Sequence, residues 1–164
     1  MDTISGLPLH PLVVHGVVVL GPLAALMLVA YVAVPRWRVG LRWPTLVLAV
    51  GSAIMGKIAE GSGEDLEHRV MGAGGAADAL IRHHAEAGEL ASAAIIVLAL
   101  VALATILYLV PATGARSGAN VKKMFATLAL VASIGSALFV GYAVVNAGHS
   151  GAKSVWSSVI SSSN

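Results

Sequence analysis

The sequence predicts an all-α protein, a four-helix transmembrane bundle running up-down-up-down. Three observations carry that reading. Of 164 residues, 57% are hydrophobic and only 11% charged, whereas a soluble domain is nearer a quarter charged. Mean hydropathy is +0.86, which places the chain in a bilayer before any single residue is considered. Four stretches are apolar over about 20 residues, the length that crosses ~30 Å of hydrocarbon.

The first segment, about 11–34, follows the opening "GLPLHPLVVHGVVVLGPLA". Pro11 suits the first turn of a helix, where a missing N–H is no loss, and Pro35 ends it. Gly21-Pro22 falls mid-span and is expected to kink it. This segment does not read as a secretory signal, because no Lys or Arg precedes it. The second segment, about 44–60, opens at Pro44 and is the shortest, with Lys57 and Glu60 near its end. Ser52, Gly56 and Glu60 share a face that permits close helix packing. The third, about 84–110, ends at Pro111. The fourth covers about 122–147. An outer loop is expected at about 61–83, with Gly72, Gly74 and Gly75 as its mobile part. The tail "KSVWSSVISSSN" is too short to span, and Trp156 suits an interfacial anchor.

Charge orients the bundle. Arg36, Arg38 and Arg42 lie between the first two segments, and Arg116, Lys122 and Lys123 between the last two. The opposite face has Arg69, Arg82 and Lys153, with Lys57 just inside. The bias places the short basic loops in the cytoplasm and both termini outside. All eight acidic residues lie toward the outer face. A bacterial cytoplasmic (inner) membrane is the expected location.

Composition also limits the chemistry. There is no cysteine, which excludes disulfides, thiolate metal sites, Cys-ligated iron–sulfur clusters and covalent c-type haem. Histidine and carboxylate are the strongest metal ligands left. A net charge of +2 does not suggest a nucleic-acid partner.

All six histidines fall toward the outer face. His10 and His15 enter the first helix, His84 stands at the start of the third, and His149 closes the fourth. Three helices thus deliver imidazole to one layer near the outer headgroups, and ionisable groups in spans usually face the bundle interior. His68 and His83 read instead as interfacial. His10 and His15 are five apart, roughly 140° round a regular helix, so both cannot serve one atom unless His10 sits at the cap. Glu60, Glu64, Glu86 and Glu89 read first as solvated ends. Their alternative role is to orient a ligating imidazole through its other nitrogen. A ferritin-like di-metal site wants paired Glu-x-x-His motifs, and only Asp65-x-x-His68 and the poorly placed "HHAE" come near.

In order, "PLHPLVVHGVVVLGPLA", "GSGEDLEHRV", "HAEAGE" and "GHSGAKSVW" resemble the landmarks of domain-of-unknown-function family 2231, small bacterial four-helix membrane proteins. The resemblance covers about residues 7 to 156, and the His-Pro-x-x-x-His opening is its most specific part. Many members have His-Phe-Pro where this chain has His15-Gly16-Val17, with Pro22 later, so the chain is closer to an actinobacterial branch. His10, Pro11, His15, Glu64, Glu67, His84, Glu89 and His149 fit the family pattern, while His68 and His83 do not. The resemblance implies the fold and no established activity. Fusion of relatives to Rieske or cytochrome domains implies electron transfer by association.

The leading expectation is a b-type haem (haem b) ligated by two imidazoles from different helices, in a respiratory or cytochrome-containing complex. The first and third helices of such a bundle are diagonal, which makes His15 and His84 the expected pair. His149 comes next, and His10 is expected to hold a propionate or orient a ligand. A second reading places copper or zinc on three or four of His10, His15, His84 and His149, with Glu64 or Glu89. A third makes the chain a non-catalytic accessory subunit of a larger membrane complex. No nucleophile–base constellation or phosphate loop is present, so activity as an enzyme alone is not expected.

Overall fold

The structure, a computed structural model, describes residues 3–4, 6–70, 76–112 and 119–161. Gly72, Gly74 and Gly75, expected to be mobile, lie outside the described residues. A short antiparallel pair, β1 (Thr3–Ile4) with β2 (Leu7–Pro8), leads into four helices. These are α1 (Leu9–Ala33), α2 (Arg38–Val70), α3 (Ala76–Ala104) and α4 (Ala119–Ser161). A 3₁₀ turn, Pro35–Trp37, joins α1 to α2, and a π-helical turn, Thr105–Leu109, prolongs α3. All four helices are long and apolar enough to cross a membrane.

Helix α1 packs against α2 and α4, as does α3, so α1 and α3 stand on the diagonal. At one end, His10 of α1 reaches the carbonyl of Ala59 on α2, and His84 of α3 reaches Ser150 on α4. At the other, Tyr31 of α1 reaches Val110, just past the π-turn. The core between these ends joins large residues to small ones. Leu28, Tyr31, Ile95, Leu98, Ile106 and Val140 are fully buried beside Ala24, Ala49, Ala94, Ala102, Ala129 and Ala143. In lipid, helices gain little from the hydrophobic effect against one another, and such small residues let backbones approach for dispersion contact. Gly56 of α2 lies against Ser92 of α3, as the shared face of Ser52, Gly56 and Glu60 predicts.

The helices run past the expected limits. Helix α2 starts at Arg38, not Pro44, and holds Pro44 inside. The expected outer loop is helical at 61–70 and again at 76–83, and α4 runs on through the tail to Ser161. The physical reason is that falling hydropathy marks where a helix leaves hydrocarbon, not where it stops. Glu, Leu, Arg and Ala are good helix formers in water. Pro22 falls inside α1, as expected of a mid-span proline. Helix α1 continues through it, although the ring forfeits an N–H hydrogen bond and crowds the carbonyl of Val18 one turn back.

Lengths follow. The 25 residues of α1 span roughly 37 Å and the 43 of α4 roughly 65 Å at ~1.5 Å per residue. Trp37, Trp43 and Tyr108 are exposed at the basic end, where aromatic residues mark a headgroup layer. Counting about 20 residues from Trp43 along α2 reaches Gly63, and from Tyr108 back along α3 reaches Gly88. Beyond that level α2, α3 and α4 project as helices.

Candidate site at the histidine end of the bundle

The site lies where the projecting helices leave the expected hydrocarbon slab. His10 sits on the first turn of α1 and His84 on the third turn of α3. Their rings meet edge to face, with centroids 6.2 Å apart and planes at 79°. Both line a cavity of about 840 Å³, within the range of small-molecule sites, whose walls are mostly Val, Ala, Gly and Leu.

Hydrogen bonds hold each ring by its Nδ1. Nδ1 of His10 is 2.8 Å from the carbonyl oxygen of Ala59. A carbonyl only accepts, so this nitrogen carries the proton and donates. Nδ1 of His84 is 3.2 Å from Ser150 Oγ. The Ser150 hydroxyl is also 3.0 Å from the Ala147 carbonyl, and with its proton turned there its oxygen accepts from His84. Each imidazole, when neutral, therefore keeps its Nε2 lone pair uncommitted. A hydrogen bond at one ring nitrogen that sets the tautomer at the other is how ligating histidines are usually prepared.

Two glycines make room for these rings. A Cβ placed on Gly63 of α2 would come within 2.9 Å of His10 Cε1, and one on Gly151 of α4 within 2.9 Å of His84 Cε1. Any side chain there would push the imidazole aside. Ser92 adds a waiting donor. It lines the cavity, is only 4% exposed, and its hydroxyl makes no hydrogen bond. The Glu60 carboxylate lies near that hydroxyl without reaching hydrogen-bond geometry.

The other expected residues are placed differently. His15 lines the cavity but is exposed, and its Nδ1 donates to the Pro11 carbonyl one turn back. The structure thus sets His10, not His15, beside His84. The reason lies in the helix start: α1 opens at Leu9, so His10 is itself helical and the ~140° between the two rings turns His15 away. His149 is exposed and off the cavity wall, and His68 and His83 are exposed. Glu60, Glu64 and Glu89 line the cavity, joined by Glu67, whereas Glu86 does not. Glu60 accepts an ion pair from Lys57. The partners that orient His10 and His84 are a backbone carbonyl and a serine hydroxyl, not these carboxylates. Among the described residues, no three His, Asp or Glu side chains stand close enough to hold a metal ion.

Sequence reasoning missed Ser150, Ser92, Gly63 and Gly151. One signal was present: Gly63 and Gly151 both lie in stretches already quoted as landmarks. Each reads as a loop residue until its segment is known to be helical.

Compared with known proteins, residues 6–164 match the family model described as "Predicted membrane protein (DUF2231)". No curated protein and no solved structure matches the chain.

Proposed function

Since the chain belongs to the family of predicted membrane proteins DUF2231, we propose that its bundle holds a b-type haem between His10 and His84 and serves electron transfer in a larger respiratory or redox assembly. The observation that carries this reading is the pair itself. Two imidazoles from diagonal helices line one apolar cavity, each held at Nδ1 and free at Nε2.

Ligand count supports haem over a bare ion. Structural zinc takes four protein donors and catalytic zinc three, and the described residues offer no group of three. A porphyrin brings its own four nitrogens and asks the protein for one or two axial ligands, histidine being a common one. Bound there, haem would supply one-electron chemistry. The chain's own part is to aim two lone pairs, keep the walls apolar, and offer the Ser92 hydroxyl as a polar contact.

The test is an absorption spectrum with metal analysis on protein purified from membranes. A Soret band is expected, lost in His10→Ala and His84→Ala and kept in His68→Ala, His83→Ala and His149→Ala. Loss in His15→Ala with retention in His10→Ala would restore the pair expected from sequence. Copper or zinc without a Soret band would replace haem by an imidazole-bound ion. Colourless, metal-free protein that purifies with other chains would leave the accessory-subunit reading.

A further inference from the structure

Beyond His10 the bundle loses one of its four helices. Helix α1 opens at Leu9, while α2 runs on to Val70, α3 begins back at Ala76 and α4 continues to Ser161. The place that a longer α1 would fill is a groove, the outer mouth of the histidine cavity. Leu66 and Glu67 of α2, Ile81 of α3, and Ser154, Val155 and Trp156 of α4 line it. Among the described residues, none before His10 does. Val155 is 63% and Trp156 57% exposed, and lipid does not account for it. His84 lies four residues beyond Gly88 and is bonded to Ser150, and Val155 and Trp156 stand five and six residues further out. At ~1.5 Å per residue they are roughly 14 Å outside the hydrocarbon, past a headgroup layer about 5–8 Å deep. Large apolar side chains gathered at one mouth and facing water mark an interaction surface.

We propose that this groove takes a basic amphipathic helix of a partner chain, which completes the bundle where α1 is missing. Shape asks for a helix. The neighbours of α1, α2 and α4, flank the gap and α3 backs it, and a helix laid into such a groove buries one apolar stripe. Charge asks for a basic one. Glu60, Glu64, Glu67 and Glu89 line the cavity and, among the described residues, no Lys or Arg does. A wall of one sign selects the opposite sign and steers its approach. Trp156 is the expected anchor, because tryptophans that become buried carry a large share of binding energy. Docking there does not depend on what His10 and His84 hold.

The test places the whole chain in phosphatidylcholine nanodiscs and titrates a synthetic amphipathic helix of Leu and Lys. A Leu and Glu counterpart and empty discs are the references. The Leu/Lys helix is expected to bind more tightly than to empty discs, and the Leu/Glu helix is not. Trp156→Ala should weaken binding about tenfold or more, the scale of a buried anchor. Glu64→Gln with Glu67→Gln should weaken it about fivefold, the scale of two exposed ion pairs. Asp65→Asn with Glu86→Gln removes as much charge from exposed positions off the cavity wall and should change it little. Equal loss in the two double variants, equal binding of the Leu/Glu helix, or unchanged binding in Trp156→Ala would overturn the groove. A dimer of the free chain that Trp156→Ala turns into monomers would make the occupant a second copy and overturn the partner helix. With Trp37→Phe and Trp43→Phe leaving Trp156 alone, quenching by lipids brominated in their acyl chains would put the groove in the bilayer and overturn it as well.

Discussion

Tyr31 on α1 donates its hydroxyl to the main-chain carbonyl of Val110 at 2.6 Å, bridging 79 positions of sequence. The tyrosine is fully buried, so no water can take over either partner. Tyr31→Phe keeps the packing and leaves that carbonyl without this donor, at a cost of about 1–3 kcal/mol. Denaturant or thermal unfolding in detergent should show the loss. A variant as stable as the parent would mean that the carbonyl finds another donor.

Gly63 and Gly151 should tolerate even a methyl group poorly. Gly63→Ala is expected to displace His10, and Gly151→Ala to displace His84, each reducing bound cofactor by about tenfold, the lower end of what disturbing a ligand's support costs. Gly141→Ala is the control, since a Cβ there meets nothing within 4 Å and Gly141 is off the cavity wall. Equal cofactor content in all three would separate the glycines from the site.

Ser150 should act through His84 alone. Removing its oxygen in Ser150→Ala takes away the acceptor for Nδ1 and frees the ring to turn or change tautomer. A loss of about 10–100-fold in cofactor affinity is expected, without complete abolition. The spectrum of what remains bound should broaden or shift, which a purely structural change would not produce. Unchanged affinity and spectrum would show that Ser150 does not orient the ligand.

Orientation in the membrane can be read with reporters. One fused at the end of the chain should be active only on the outer side, and one inserted near Gly40 only in the cytoplasm, following the Lys/Arg bias of the loops. The reverse pattern would turn the histidine end inward.

The spans were legible because hydrocarbon imposes a length and a composition on every helix that crosses it. Prolines at 11, 35 and 111 then located three helix ends to within a few residues. What hydropathy could not show was the course of α2 and α4 beyond Glu60 and Ala147. In water a polar helix and a polar loop have similar composition, and tertiary packing decides between them. That gap also hid the site. Gly63 and Gly151 become seats for imidazoles only once their segments are helical and their faces are fixed. The choice between His10 and His15 depended on whether α1 opens at Leu9 or Pro11, a difference of two residues that rotates the helix start by about 200°.

The π-turn at Thr105–Leu109 closes with the Val110 N–H on the Thr105 carbonyl, one residue wider than ordinary winding. It holds one more residue than the same stretch of regular helix would need. Deleting any single residue within it would let the chain wind normally and swing whatever follows by about 100°. The Val110 carbonyl would leave the Tyr31 hydroxyl, and the tie between the ends of α1 and α3 would be lost. The stretch therefore sets a phase: substitutions there adjust packing, whereas a one-codon deletion would change which carbonyl the tyrosine meets.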